Sequence, residues 1–173
     1  MIHGSEKLMI HYYYGNGKGK TSSANGALIR AAGSGMKCAL VQFFKNGTSS
    51  EIEIIKRTGA DVYFCDFQNM HFFSKMNDEE RAAVISSHNE NLKKVLASDY
   101  DFIVLDEFGD AVLNNAVDAG LTDKILSLSG CEIIITGHTP CDRILGVADY
   151  ITEFKCIAHP YQKGIKARKG IEF

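Results

Sequence analysis

Gly15-Asn16-Gly17-Lys18-Gly19-Lys20-Thr21 is the stretch on which the reading of this chain turns. It follows an apolar run, Leu8 to Tyr14, and leads into a helical pattern from Ser22 to Ala32. A strand, a glycine-rich turn and a helix start, in that order, make an anion cradle. Backbone N–H groups and the positive end of the helix dipole face the anion, the glycines let it come close, and Lys20 adds a full charge. Thr21, with Ser22 beside it, stands where a hydroxyl can meet a magnesium ion. Gly15 to Ser22 are therefore expected to hold the phosphates of a nucleoside triphosphate. The usual spacing, G-x-x-x-x-G-K-[ST], puts its first glycine at position 14, where this chain has Tyr14. In that respect the loop departs from the form common in kinases and ATPases.

Around this loop, short apolar runs alternate with longer helical patterns. Strands are expected at Leu8–Tyr14, Lys37–Phe43, Asp61–Phe64, Phe102–Asp106, Glu132–Thr136 and Tyr150–Phe154. A helix is expected from Asn77 to Ala97. Asn77 and Glu80 have capping-box spacing, and Ile85, Leu92, Val95 and Leu96 recur at helical intervals. Val- and Ile-rich strands without polar alternation imply burial on both faces. The alternation predicts an α/β fold, a doubly wound and mostly parallel sheet with helices on both faces. No linker, repeat or low-complexity block divides the chain, so residues 1–173 read as one nucleotide-binding domain.

Composition narrows the class. A chain of 173 residues, 45% hydrophobic and with a net charge of −2, has the balance of a soluble globular protein. It lacks the basic excess that nucleic-acid binding requires. No run reaches the length of a membrane span, and the first residues lack the apolar core of a signal peptide, so the cytoplasm is the expected compartment. Cys38, Cys65, Cys131, Cys141 and Cys156 are scattered without C-x-x-C spacing, as reduced thiols would be. The six histidines form no ligand cluster in sequence.

In doubly wound sheets ligands lie beyond the carboxyl ends of the strands. Phe102-Ile103-Val104-Leu105 closes on Asp106 and Glu107, the pattern of a Walker B strand whose acid reaches the magnesium ion. Asp106 could equally cap the following helix. Glu107 has two open roles, a second metal contact or a base that orients water. Thr136 and His138, at the end of Ile133-Ile134-Ile135, are candidates for phosphate or ribose contact, or belong to a plain strand-to-helix turn. Lys45 ends Val41-Gln42-Phe43-Phe44-Lys45, as a phosphate contact or a solvated surface cation.

Taken in order, these segments resemble the ATP:corrinoid adenosyltransferases. The loop from Gly15 to Thr21 is similar to that family's version, including the missing first glycine. Val41-Gln42-Phe43-Phe44-Lys45 resembles its V-Q-F-x-K strand, Val104-Leu105-Asp106-Glu107 its V-L-D-E, and Ile134-Ile135-Thr136-Gly137 its I-I-T-G turn. Ala148-Asp149-Tyr150-Ile151-Thr152-Glu153 and the tail from Gly164 to Phe173 are similar to its last two motifs, and the resemblance runs nearly end to end.

The resemblance implies a RecA-like P-loop fold and transfer of the 5′-deoxyadenosyl group of ATP to the cobalt of cob(I)alamin or another reduced corrinoid, with triphosphate as leaving group. It implies ATP as co-substrate, magnesium on Thr21 with Asp106 or Glu107, catalytic roles for Lys20 and Glu107, an electron donor that reduces the corrinoid, and a homodimer. Two departures stand out. His138 takes the place of the family's usual arginine, and no tryptophan is present for the aromatic pair that packs on the corrin. Phe72, in Asn69-Met70-His71-Phe72-Phe73-Ser74, is the better substitute, with Phe73 beside it. The competing readings are a P-loop ATPase or phosphotransferase, with Glu107 orienting water or a hydroxyl, and a non-catalytic nucleotide-binding module.

Overall fold

Alternate residues of the strands enter two different cores. Tyr12, Ala39, Val41, Ile103, Leu105, Ile133 and Ile135 face one side of a sheet; Cys38, Leu40, Phe102, Val104 and Ile134 face the other. The computed structural model of the chain describes residues 9–67 and 71–171. Its strands are β1 (Ile10–Tyr14), β2 (Cys38–Gln42), β3 (Asp61–Tyr63), β4 (Phe102–Asp106), β5 (Glu132–Gly137) and β6 (Tyr150–Glu153). They form one sheet in the order β3-β2-β4-β5-β1-β6, and every pairing is parallel. The helices are α1 (Lys20–Gly33), α2 (Ile52–Arg57), α3 (Asp78–Leu96), α4 (Phe108–Leu113), α5 (Ala119–Leu126) and α6 (Asp142–Leu145). Helices α1 and α2 cover the second face, and α3 to α6 contribute to the first. The expected doubly wound α/β architecture is present. No helix of the described residues is long and apolar enough to cross a membrane.

Element ends differ from the sequence expectation where partners run out. Strand β6 stops at Glu153 because its partner β1 stops at Tyr14, with which Glu153 is in register. Strand β2 begins at Cys38 and ends at Gln42; two residues later Phe44 turns to a positive φ of 55° that no ladder accommodates. Strand β3 stops at Tyr63, and β5 runs one residue further, to Gly137. Helix α1 starts at Lys20, ahead of Ser22, because Gly19 at φ 117° supplies a left-handed entry. Leu8, the expected first residue of β1, lies outside the described residues, as do Asn69, Met70 and the last two residues of the tail motif. The expected capping box on α3 is complete: Glu80 N–H donates to Asn77 and Asn77 N–H to the Glu80 carboxylate, both at 2.9 Å. The five cysteines are free thiols, four of them buried.

This order sets the site. Strand β5 lies between β1, which feeds the glycine loop, and β4, which ends in the two acids. The chain leaves β1 through α1 towards β2 on one side, while β6 pairs along the opposite edge of β1. That divergence opens a crevice at the strand ends.

The segment after β6 then crosses the loop. Gly17 N–H donates to the Phe154 carbonyl at 2.7 Å, Cys156 N–H to the Asn16 side chain at 3.0 Å, and the Lys18 ammonium to the Ile171 carbonyl at 3.0 Å. The crossing leaves no room for a β-carbon. One added at Gly15 would lie 2.4 Å from the Phe154 carbonyl oxygen, and one at Gly17 would lie 2.8 Å from backbone atoms of Phe154 and Lys155. Two loop glycines are thus required by the protein's own tail as well as by any anion. Gly17→Ala is expected to cost about 1–3 kcal/mol, the scale of forced overpacking, and to raise protease sensitivity in the tail. Urea unfolding and limited proteolysis check this; an unchanged midpoint and cleavage pattern would contradict the close crossing.

Candidate functional site

The crevice holds a cavity of about 920 Å³, within the range of small-molecule sites. Its lining includes Asn16 to Ser22, Lys45, Glu107, Thr136 and His138, all expected from sequence. Lys20 sits on the first turn of α1, and its ammonium donates to the carbonyls of Gly15 (2.7 Å) and Gly17 (3.0 Å). Burial lowers its pKa, and the nearby carboxylates of Asp110, Glu107 and Asp106 oppose that shift. The cation is thereby folded over its own loop, at the mouth of the helix.

Asp106 ties the elements together. It is completely buried, yet both carboxylate oxygens are engaged. Thr21 and Thr136 hydroxyls each donate to Oδ1 at 2.8 Å, and the Lys45 ammonium donates to Oδ2 at 2.6 Å. These partners come from α1, β5 and the exit of β2. A buried carboxylate is tolerated only when paired and hydrogen-bonded in this way.

Glu107 follows in a left-handed conformation, φ 65°, with its N–H donating to Thr136 Oγ1 at 2.8 Å. Lys45 bridges the two acids, lying 3.1 Å from Glu107. Burial pushes the Lys45 pKa down, but Asp106 and Glu107 more than offset it, so the ammonium is held above the ordinary lysine range. Burial raises the Glu107 carboxyl above the usual range, with Lys45 opposing.

His138 follows the end of β5, next to the strand that carries Glu107. Its backbone N–H and its Nδ1–H both donate to Asp110 Oδ2 at 2.9 Å. That hydrogen bond raises the imidazole pKa, against burial. Asp110 was not expected from sequence; the only local signal is its place three residues after Glu107, in the first turn of α4.

The remaining expected residues fall elsewhere. Gly15 and Asp106 stand behind the cavity surface, not on it. Phe72 is outside the lining and 75% exposed, with the Lys75 ammonium 5.5 Å from its ring. Phe73 instead packs on Phe44, centroids 5.2 Å apart. Phe44, His159 and Asn25, whose buried Oδ1 has no partner among the described residues, line the cavity without having been singled out from sequence, while Gly170 and Ile171 bring the tail motif to it. Gln42, the polar residue inside an apolar run, is fully buried with neither amide atom paired among the described residues.

The comparisons with known proteins agree with this arrangement. A family model for the ATP:corrinoid adenosyltransferases BtuR/CobO/CobP matches residues 6–173. A corrinoid adenosyltransferase of Sinorhizobium sp is 30% identical over 97% of this chain and 81% of its own length. One of Pseudomonas aeruginosa is 32% identical over 96% of this chain and 83% of its own. Corrinoid adenosyltransferase CobA of Salmonella typhimurium is 32% identical over 97% and 87%. With the glycine loop, the acidic strand end and the tail in one cavity, and a match that spans nearly the whole chain, the protein belongs to the corrinoid adenosyltransferase family.

Proposed function

We propose that this protein, acting as one nucleotide-binding unit, moves the 5′-deoxyadenosyl group of ATP onto the cobalt of cob(I)alamin or a related reduced corrinoid and releases inorganic triphosphate. The observation that carries the reading is the pairing of a cationic loop with an organised acidic strand end across one cavity. The electron pair of Co(I) forms the cobalt–carbon bond, the bond from the ribose 5′-carbon to oxygen breaks, and its pair leaves on the triphosphate. No protein base is required at the carbon, because the nucleophile is already fully reduced. The chain's task is to bind and orient a polyanion and to stabilise the charge that grows on it.

Lys20 and the loop N–H groups up to Ser22 serve that charge, except those of Gly15 and Gly17, which are taken by the Gly137 and Phe154 carbonyls. Lys20 exchanges its two loop carbonyls for phosphate oxygens. Thr21 and Glu107 offer hard oxygen donors of the kind magnesium prefers, and Asp106 holds Thr21 in place from behind. A magnesium ion there would supply further neutralisation of the leaving group. Lys45 sets the spacing of the two acids. Thr136 orients Glu107, and His138, next to the Gly137 carbonyl that accepts the Gly15 N–H, adds a cation at the cavity. Phe72, largely exposed, is the proposed contact to the corrin. An electron donor for the corrinoid, a cytoplasmic setting and a homodimer complete the reading.

The deciding experiment mixes the protein with Mg-ATP and chemically reduced cob(I)alamin. Triphosphate formed in step with a light-sensitive adenosylated corrinoid supports the proposal; ADP and orthophosphate with unmodified corrinoid would turn it towards an ATPase or phosphotransferase. Lys20→Ala is expected to lower turnover by about 100-fold or more, as loss of a preorganised charge stabiliser does, and Glu107→Gln to lower it strongly with nucleotide still bound. Steady-state rates check both, and wild-type turnover in either would remove that residue from the site. The His138 charge is present below its raised pKa and lost as pH rises through it. ATP affinity should therefore fall across that window, and His138→Arg should flatten the profile; identical profiles would contradict a phosphate contact.

A further inference from the structure

His88 is buried in the middle of α3, and both of its ring nitrogens meet backbone groups. Nε2 accepts the Phe44 N–H at 3.1 Å, and Nδ1 lies 3.1 Å from the Ala116 carbonyl oxygen. A backbone N–H can only donate and a carbonyl can only accept, so the ring must carry its proton on Nδ1 and present a bare Nε2. The imidazole is therefore neutral and fixed in one tautomer. Its ring meets Phe43 and Phe44 edge-on, at centroid distances of 5.0 and 4.9 Å.

What His88 holds is unusual. Phe44 has φ 55°, a conformation that bulky residues avoid. It comes just after β2 has paired for the last time with β4, through Phe43 N–H on the Asp106 carbonyl at 3.0 Å. The left-handed turn ends the ladder and redirects the chain. Its next residue, Lys45, reaches back to Asp106 and Glu107, while the Lys45 carbonyl accepts the Cys65 N–H at 2.9 Å. The Phe44 ring points the other way, onto Phe73 and beside the segment that carries Phe72. Phe44 and Lys45 both line the cavity.

We propose that His88 is a positioning residue: by capturing the Phe44 N–H it locks the turn that aims Lys45 at the acidic pair and Phe44 at the aromatic segment. This deepens the proposed function and rests on its reading that Lys45, Asp106 and Glu107 serve the nucleotide. His88 touches no substrate in this role and acts through Lys45.

The test uses the full chain with His88→Leu, which loses the acceptor, His88→Gln, whose amide oxygen can restore it, and Val95→Ala. Val95 is buried on the same helix in the main core and serves as the control for loosened packing. Each is made alone, and His88→Leu is also combined with Lys45→Ala. Mg-ATP dissociation constants and thermal midpoints are measured for all, then kcat and KM for corrinoid adenosylation. His88→Leu is expected to weaken Mg-ATP about tenfold, the scale of one unpaired buried donor. His88→Gln should recover to within about threefold, and Val95→Ala should lower the midpoint without moving the affinity. In the Lys45→Ala background, His88→Leu should add less than about twofold, since the two then share one effect. Wild-type affinity in His88→Leu would overturn the proposal. So would an equal loss in Val95→Ala, or a full additional loss on top of Lys45→Ala. Absence of adenosyl transfer by the unsubstituted protein would count against the proposed activity alone, because the nucleotide arm still decides the role of His88.

Discussion

One buried carboxylate organises this protein's site. Asp106 accepts hydrogen bonds from Thr21, Thr136 and Lys45, which arrive from the start of α1, the end of β5 and the exit of β2. Sheet order makes the convergence possible: β4 lies between β2 and β5, so its last residue meets groups from both neighbours. Thr21 reaches it from further off, because α1 begins at the end of β1 beyond β5. A carboxylate without exposure is costly unless all of these partners are present. The same cost makes the arrangement specific, since displacing any partner leaves a charge or hydroxyl stranded.

Two turns of the same kind carry the outer residues. Phe44 after β2 and Glu107 after β4 both take positive φ without being glycine. Each has its N–H captured by a side chain from another element, His88 for Phe44 and Thr136 for Glu107. Such strain persists where surrounding structure over-determines it, and it concentrates at functional sites. Here its effect is to bring Lys45 and Glu107 within 3.1 Å of each other at the cavity wall. The tail adds the opposite wall, fastened to the loop through Asn16, Gly17 and Lys18.

Much of this was legible in the sequence because the signals were local. The loop from Gly15 to Thr21, the apolar runs ending in acids and the Asn77–Glu80 cap each lie within a few residues. The fold class followed from their alternation. Strand order was not legible, because the pairing of β5 with β1 depends on contacts more than a hundred residues apart. His88 read as a scattered histidine, since its partners are 44 and 28 positions away. Asp110 was hidden for a related reason: its meaning comes from His138 on another strand end. The aromatic pair shows the limit of motif spacing. Phe72 and Phe73 are adjacent in sequence, yet one is exposed and the other packs on Phe44. Even the glycines of the loop had a second meaning, clearance for Phe154, that no local pattern carries.

The central claim is that the Asp106 charge, through Thr21, Thr136 and Lys45, sets the nucleotide site. Mg-ATP affinity of Asp106→Asn tests it most directly, because the amide keeps the shape and one oxygen acceptor but loses the charge that binds Lys45. The account predicts a folded protein whose Mg-ATP affinity falls by about 100-fold, the scale expected when a buried ion pair loses one partner. A folded Asp106→Asn protein that binds Mg-ATP as the unsubstituted chain does would contradict it.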